Sequence, residues 1–257
     1  MSTFFSNFDM AKYPVIVREM NDHGYSCITN FLKPEQLIGL QHHIKTDAEK
    51  HKGHYFAHHG GEAIENSLLG VLGASPEFRA MLANIYWEGT GRKAFSDAIH
   101  PVLRCVQGGS GRRESNCFHF DASLVTVLLP IEIPQHGIHR GDLIVFPNLR
   151  RVRSNVFWNV MEKALVQNAV SRALISAAIR RGWVKPAKLQ LIPGNIYLFW
   201  GYRSLHANEL CDPSSRRATA IFHYGDPHAG SLATRLILKM NQRRARRATA
   251  AGAQPTA

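Results

Sequence analysis

Apolar positions along this chain follow two spacings. Leu37, Leu40 and Ile44 recur at three and four residues behind Pro34, which predicts a helix over Glu35–Lys50 with the proline in its first turn. Phe78, Met81, Leu82 and Ile85 predict a second helix over Pro76–Trp87. From Val156 to Gly182 the pairs Leu165/Val166, Ala169/Val170, Ala173/Leu174 and Ala177/Ala178 repeat every four residues, with Glu162, Lys163, Gln167, Arg172 and Arg180 off the stripe, so this stretch also reads as helix. Those charges rule out a membrane-spanning window of about 20 residues.

The other spacing is that of strands. Gly24–Leu32 alternates, and Pro101–Gln107, Leu143–Phe146, Ile196–Trp200 and Arg216–Tyr224 are short apolar or β-branched runs bounded by turn residues. Asn116–Leu129 is rich in aromatic and β-branched residues and has no glycine or proline, so it is expected to be one strand entering or lining a core. Gly108–Gly111 reads as a flexible connection.

Composition narrows the class. The 257 residues are 45% hydrophobic, enough to fill a sizeable core, and no repeat or linker divides them, which points to one domain over 1–257. Cys27, Cys105, Cys117 and Cys211 form no CxxC pair, and the N-terminus carries no basic-then-apolar leader pattern, so reduced thiols in a cytoplasmic protein are expected. The net charge of +12 favours phosphate or carboxylate partners. Arg235, Lys239, Arg243, Arg244, Arg246 and Arg247 lead into a tail, about 242–257, expected to be disordered. The alternative is attachment to a carrier protein, an anionic membrane surface or nucleic acid. The 156–183 stretch, with Trp158 and Trp183, is expected to pack on the core or on a second subunit; peripheral membrane contact is its alternative.

The candidate chemistry begins at His119 and Asp121, which a strand would turn to the same face. An imidazole beside a carboxylate is half a metal site, and two His with one carboxylate leave positions open for non-heme Fe(II) and oxygen. With 14 His and 19 acidic residues, such a triplet arises about once by chance, so it needs context. Singly, His119 also reads as a core histidine bonded to Asp121, and His206 as a solvated loop residue. The His-rich stretch His51–Gly61 has no spacing that would converge its imidazoles on one ion, and reads as a mobile lid.

The context is an ordered series: His119-x-Asp121; Gly141-Asp142-Leu143-Ile144-Val145-Phe146-Pro147; Pro193-Gly194-Asn195 opening Ile196–Trp200; Gly201; His206; and Arg217 eleven residues after it. In that order and spacing, residues 24–226 resemble the phytanoyl-CoA-hydroxylase-like branch of the Fe(II)/2-oxoglutarate oxygenases. The resemblance implies a mainly β fold with flanking helices (α+β) and a double-stranded β-helix, or jelly-roll, core, with a helical insertion at about 150–185. It implies Fe(II) on His119, Asp121 and His206, 2-oxoglutarate held by Arg217 (alternatively Arg216), and O2 as co-substrate. A planar, permanently charged guanidinium suits the carboxylate of the keto acid. It also implies succinate and CO2 as co-products, with Phe118, Phe120, Leu198 and Phe199 as candidate apolar lining. Because Asp121 stands where halogenating relatives have Ala or Gly, hydroxylation or a related oxidation is expected. The implied substrate is a small, lipid-like or carrier-tethered molecule, met by the loops at 51–61 and 135–185. Nucleic acid is disfavoured because the Arg-x-Asn-x-Thr-x-Arg motif of repair dioxygenases is missing; a non-enzymatic or zinc-binding jelly-roll module is the remaining alternative.

Overall fold

Alternation along two central strands decides which side of the main sheet each core residue serves. The computed structural model describes residues 12–60, 64–65, 67–137, 139–153 and 155–229; the basic segment from Arg235 and the tail lie outside the described residues. The strands are β1 (Ser26–Ile28), β2 (Phe56–His59), β3 (Ile99–Val106), β4 (Val125–Glu132), β5 (Leu143–Phe146), β6 (Ala187–Leu189), β7 (Ile196–Trp200), β8 (Leu205–Asn208) and β9 (Arg217–Tyr224). The helices are α1 (Tyr13–Asp22), α2 (Pro34–Lys50), α3 (Leu68–Ala74), α4 (Pro76–Thr90), the single turn α5 (Gly108–Gly111), α6 (Val156–Gln167) and α7 (Ala169–Arg180). One antiparallel sheet has the order β1-β7-β4-β9-β3-β2, and a smaller one has β6-β5-β8.

In β4 the side chains of Val125, Val127, Leu129 and Ile131 join Ile196, Leu198 and Trp200 of β7 on the outer face of the large sheet. There they meet Met20, Leu40, Ile44, Leu69, Phe78, Met81 and Ile85 of α1 to α4, all nearly inaccessible to solvent. The opposite face carries Leu128, Tyr197 and Phe199, which pack on Leu143, Val145 and Leu189 of the small sheet. Two antiparallel sheets with a shared interior and helices outside form the expected double-stranded β-helix.

The helices begin where local chemistry allows. Pro34 and Pro76 open α2 and α4, where a missing N–H costs nothing, and the Ser75 hydroxyl accepts the Phe78 N–H at 3.2 Å. No helix of the described residues is long and apolar enough to cross a membrane.

Four expectations change. Asn116–Leu129 is not one strand: only Val125 onward is ladder, while His119 makes an isolated bridge to His206. The chain must leave the small sheet at His119 and join the large one at Val125, and the bend over Ala122–Leu124 makes that transfer. The His-rich stretch is no lid where it is described. Phe56–His59 pairs with β3 as the edge of the large sheet, the His51 ring stacks on Phe56 at 4.1 Å, and His58 Nε2 lies 2.6 Å from Asp47 Oδ2. Tertiary pairing overrides its weak strand pattern. Gly108–Gly111 winds into a turn of helix instead of an open connection. The 156–182 stretch is two helices, because Asn168 takes an extended ψ of 160° and its Oδ1 accepts the Ser171 N–H at 2.9 Å, capping α7.

Candidate metal centre

The bend after His119 brings two distant parts of the chain together. His119 and His206 exchange backbone hydrogen bonds, N–H to O at 3.0 and 3.1 Å, so their side chains project side by side from the small sheet. Their ring centroids are 4.4 Å apart. Asp121, whose N–H donates to Gly201 O at 3.0 Å, places Oδ1 3.6 Å from His119 Nε2 and Oδ2 3.5 Å from His206 Nε2. One donor atom from each of the three lies within 4.8 Å of the others.

Each ring nitrogen has a defined job. His119 Nδ1 lies 2.8 Å from Cys117 O and His206 Nδ1 lies 3.0 Å from Ser204 O; a carbonyl only accepts, so both rings carry a proton on Nδ1, which leaves Nε2 as the atom each turns inward. Burial and the facing His206 push His119 down to about 4, so it is neutral at ordinary pH. Burial also pushes His206 down, but Asp121 outweighs it and holds that ring above its usual value. At Asp121 burial acts upward, and His206 and His223 outweigh it, keeping the carboxylate well below its usual range. Two imidazoles, of which His206 would give up its Nε2 proton to a metal, and a carboxylate, with His119 left 35% exposed, form a donor set that fits a first-row divalent metal with open positions. Each donor also has its supporting hydrogen bond already in place.

Two neighbours that sequence reasoning missed shape this carboxylate. The Thr126 hydroxyl donates to Asp121 Oδ2 at 2.5 Å from β4. Gly201 supplies the space: a Cβ there would sit 2.1 Å from both Asp121 Oδ2 and Thr126 Oγ1. The glycine that ends the β7 run was legible as a strand break; its steric role needs the tertiary contact. His223, on the same face of β9 as Thr219, lies 3.7 Å from Asp121 Oδ2 through Nδ1.

The two adjacent arginines separate cleanly. Arg216 faces outward and holds Glu132 through Nε and Nη2, at 2.7 and 2.9 Å. Arg217 is 1% exposed; its Nε donates to Gly141 O at 2.6 Å, its Nη1 to Thr219 Oγ1 at 3.3 Å, and its Nη2 is buried without a partner. Burial lowers it to about 10, so it stays charged at neutral pH. Gly141, at φ +73°, also has no room for a Cβ, which would lie 2.5 Å from Arg217 Cδ.

Of the apolar candidates, Phe199 stands edge-on to His206 at 4.9 Å, and Phe118 and Phe120 form a cluster with Ile144, Leu205 and Ala207 under Val166, Ile175 and Ile179 of α6 and α7. Leu198 is a correction: period-two alternation turns it to the outer face with Val127 and Ile196.

No protein-family model matches the chain, and no curated protein matches it. Solved structures do share its fold. A prolyl 4-hydroxylase from Phytophthora capsici superposes with TM-score 0.55 at 14% identity, over 87% of this chain but only 66% of that one. The non-heme α-ketoglutarate-dependent epimerase SnoN from nogalamycin biosynthesis gives 0.53 at 12% identity, over 85% of this chain and 82% of that one. A Pseudomonas putida prolyl-4-hydroxylase gives 0.51 at 12%, over 83% and 99%. At such identities the likeness establishes the jelly-roll fold, and function rests on the residues of the site.

Proposed function

We propose that this chain is a non-heme Fe(II)/2-oxoglutarate-dependent oxygenase of the phytanoyl-CoA-hydroxylase-like kind, with a small, lipid-like or carrier-tethered substrate. The observation that carries the reading is a pair of complementary sites. His119, Asp121 and His206 converge three donors, and Arg217 keeps a charged, unpartnered Nη2 inside the same barrel. The donor set alone suits several divalent metals; the buried cation is what a keto acid adds.

In this reading His119, Asp121 and His206 hold Fe(II), and Arg217 binds the distal carboxylate of 2-oxoglutarate. When bound, the metal and keto acid supply the oxidising chemistry, with succinate and CO2 as co-products. The chain supplies orientation and exclusion. Cys117 O and Ser204 O fix the two imidazole tautomers, and Thr126 pins Asp121 Oδ2. Gly141 O and Thr219 Oγ1 aim the Arg217 guanidinium. Phe118, Phe120 and Phe199, with the inward residues of α6 and α7, keep water from the reacting atoms.

The test is aerobic formation of succinate from 2-oxoglutarate, dependent on added Fe(II), by the wild-type chain and by His206→Ala. Turnover that needs iron and vanishes in the variant supports the reading. Turnover unaffected by the substitution would end it.

A further inference from the structure

Beside the donor triad, α6 presents a polar face that the proposed chemistry does not use. Asn159, Lys163 and Val166 stand at i, i+4 and i+7, so they share one side of the helix. That side is turned inward: Val166 packs on the Phe118 and Phe120 cluster, and Asn159 is 7% exposed with Oδ1 unpartnered. Lys163 lies between them within electrostatic range of Asp121, Arg150 and Asp226, and burial pushes its ammonium below its usual value. Among the described residues it makes no hydrogen bond or ion pair.

A second cation lies close by. Arg150, 7% exposed, is sandwiched between the rings of Phe120 and Tyr202, 4.1 Å from each centroid. Its Nε donates to Tyr202 O at 2.7 Å and its Nη1 to Glu162 Oε2 at 3.0 Å, while Nη2 is buried with no partner. The Glu162 contact ties α6 to the barrel one residue before Lys163. The acidic neighbours are already engaged: Thr126 and two imidazoles surround Asp121, and Asp226 Oδ1 accepts the His228 N–H at 2.7 Å. A cation held away from water without a counter-charge is costly; half-buried Lys163 has none, Arg150 has only a share of Glu162, which also pairs with Arg153, and both stand over an apolar floor.

We infer that this face of α6 is a subsite for an amphiphilic substrate bearing one oxyanion, a carboxylate or a phosphate, with Lys163 Nζ and Arg150 Nη2 as its donors and the Phe118, Phe120 and Val166 cluster against its apolar body. The inference rests on the oxygenase reading and adds the substrate class. Lys163 is the specificity-determining residue, because it has no other partner. Arg150 also holds α6 in place.

The experiment uses the full chain loaded with Mn(II) and 2-oxoglutarate under nitrogen, titrated by calorimetry with decanoate, decyl phosphate and the neutral decanamide. At least one oxyanion probe binds more tightly than the amide, and which one it is separates carboxylate from phosphate. Lys163→Met weakens that probe by about tenfold to a hundredfold, the scale of one hydrogen bond to a charged group, and leaves Mn(II) and 2-oxoglutarate affinities unchanged. Lys163→Arg restores most of the binding. Oxyanion probes that bind no better than the amide, or equally well to Lys163→Met, overturn the subsite. So does a Lys163→Met loss of 2-oxoglutarate affinity, which would make the lysine a co-substrate anchor. If the wild-type chain takes up no 2-oxoglutarate with Mn(II), the oxygenase reading fails instead, and the probes titrated with Mn(II) alone still decide the subsite.

Discussion

Gly201→Ala adds one methyl group at the point where the strands converge on the candidate metal site. Its Cβ would fall 2.1 Å from Asp121 Oδ2 and from Thr126 Oγ1, and neither neighbour is the free end of a flexible chain: Asp121 is 7% exposed and Thr126 2%. The carboxylate must swing aside, breaking its 2.5 Å bond from Thr126. Overpacking of this kind costs about 1–3 kcal/mol, and a lost hydrogen bond to a charged group about 1.5–3 kcal/mol. The two effects share the same atoms and do not add, so about 3 kcal/mol is expected, a fall in Tm of about 6–12 °C for a chain of this size. With one of three donors displaced, affinity for Mn(II) or Co(II) falls by about a hundredfold. Calorimetric melting of the metal-free chain and a metal titration read the two numbers separately. Gly39→Ala is the internal control: it lies in α2 with nothing within 4 Å of the added Cβ, so it raises stability by about 0.5–1 kcal/mol and leaves the metal alone. A Gly201→Ala chain with wild-type Tm and metal affinity would mean that Asp121 does not occupy the place on which the site depends.

Arg217→Met lowers 2-oxoglutarate affinity by about tenfold to a hundredfold with metal binding retained, whereas Arg216→Met costs about 1 kcal/mol of stability or less and leaves the keto acid alone; titration of the Mn(II)-loaded variants distinguishes them, and the opposite order would transfer the role to Arg216. Metal affinity weakens on acidification through His206, whose value is raised, while His119 remains neutral to about 4. Between those two values log Kd therefore changes by about one unit per pH unit as a single proton competes at Nε2; a slope near two in that range would contradict the assigned imidazole states. Asn168→Ala removes the cap that accepts the Ser171 N–H and destabilises the chain by about 1 kcal/mol without altering metal affinity; denaturant unfolding together with a metal titration checks both halves.

What the sequence disclosed and what it withheld divide along a physical line. Spacing within one element is local, so the period-two pattern of β9 already set Arg217 on the face of Thr219 and His223 and left Arg216 to turn outward to Glu132. The same reasoning reached too far at Asn116–Leu129, where residue types suited a strand but the chain changes sheets, a fact fixed by His206 and Trp200, the far-off partners of His119 and Val125. Leu198 was misplaced for a related reason: an unbroken apolar run such as Ile196–Trp200 is buried on both faces, so composition cannot say which face meets the site. Asn168 was readable, since Asn is a favoured residue at a helix N-cap, yet the four-residue stripe ran across it and masked the break. The roles of Gly201, Thr126, Arg150 and Lys163 had no local signature, although Gly201 itself was legible as a strand break. Each acts on an atom brought close only by folding: a carboxylate from another segment, a pair of rings from two loops, a helix face closed over the barrel. The residues that would hold the metal can therefore be read from order and spacing, whereas those that would select the substrate arise from how α6 is laid on the barrel. The Glu162 to Arg150 contact is the joint that sets that placement.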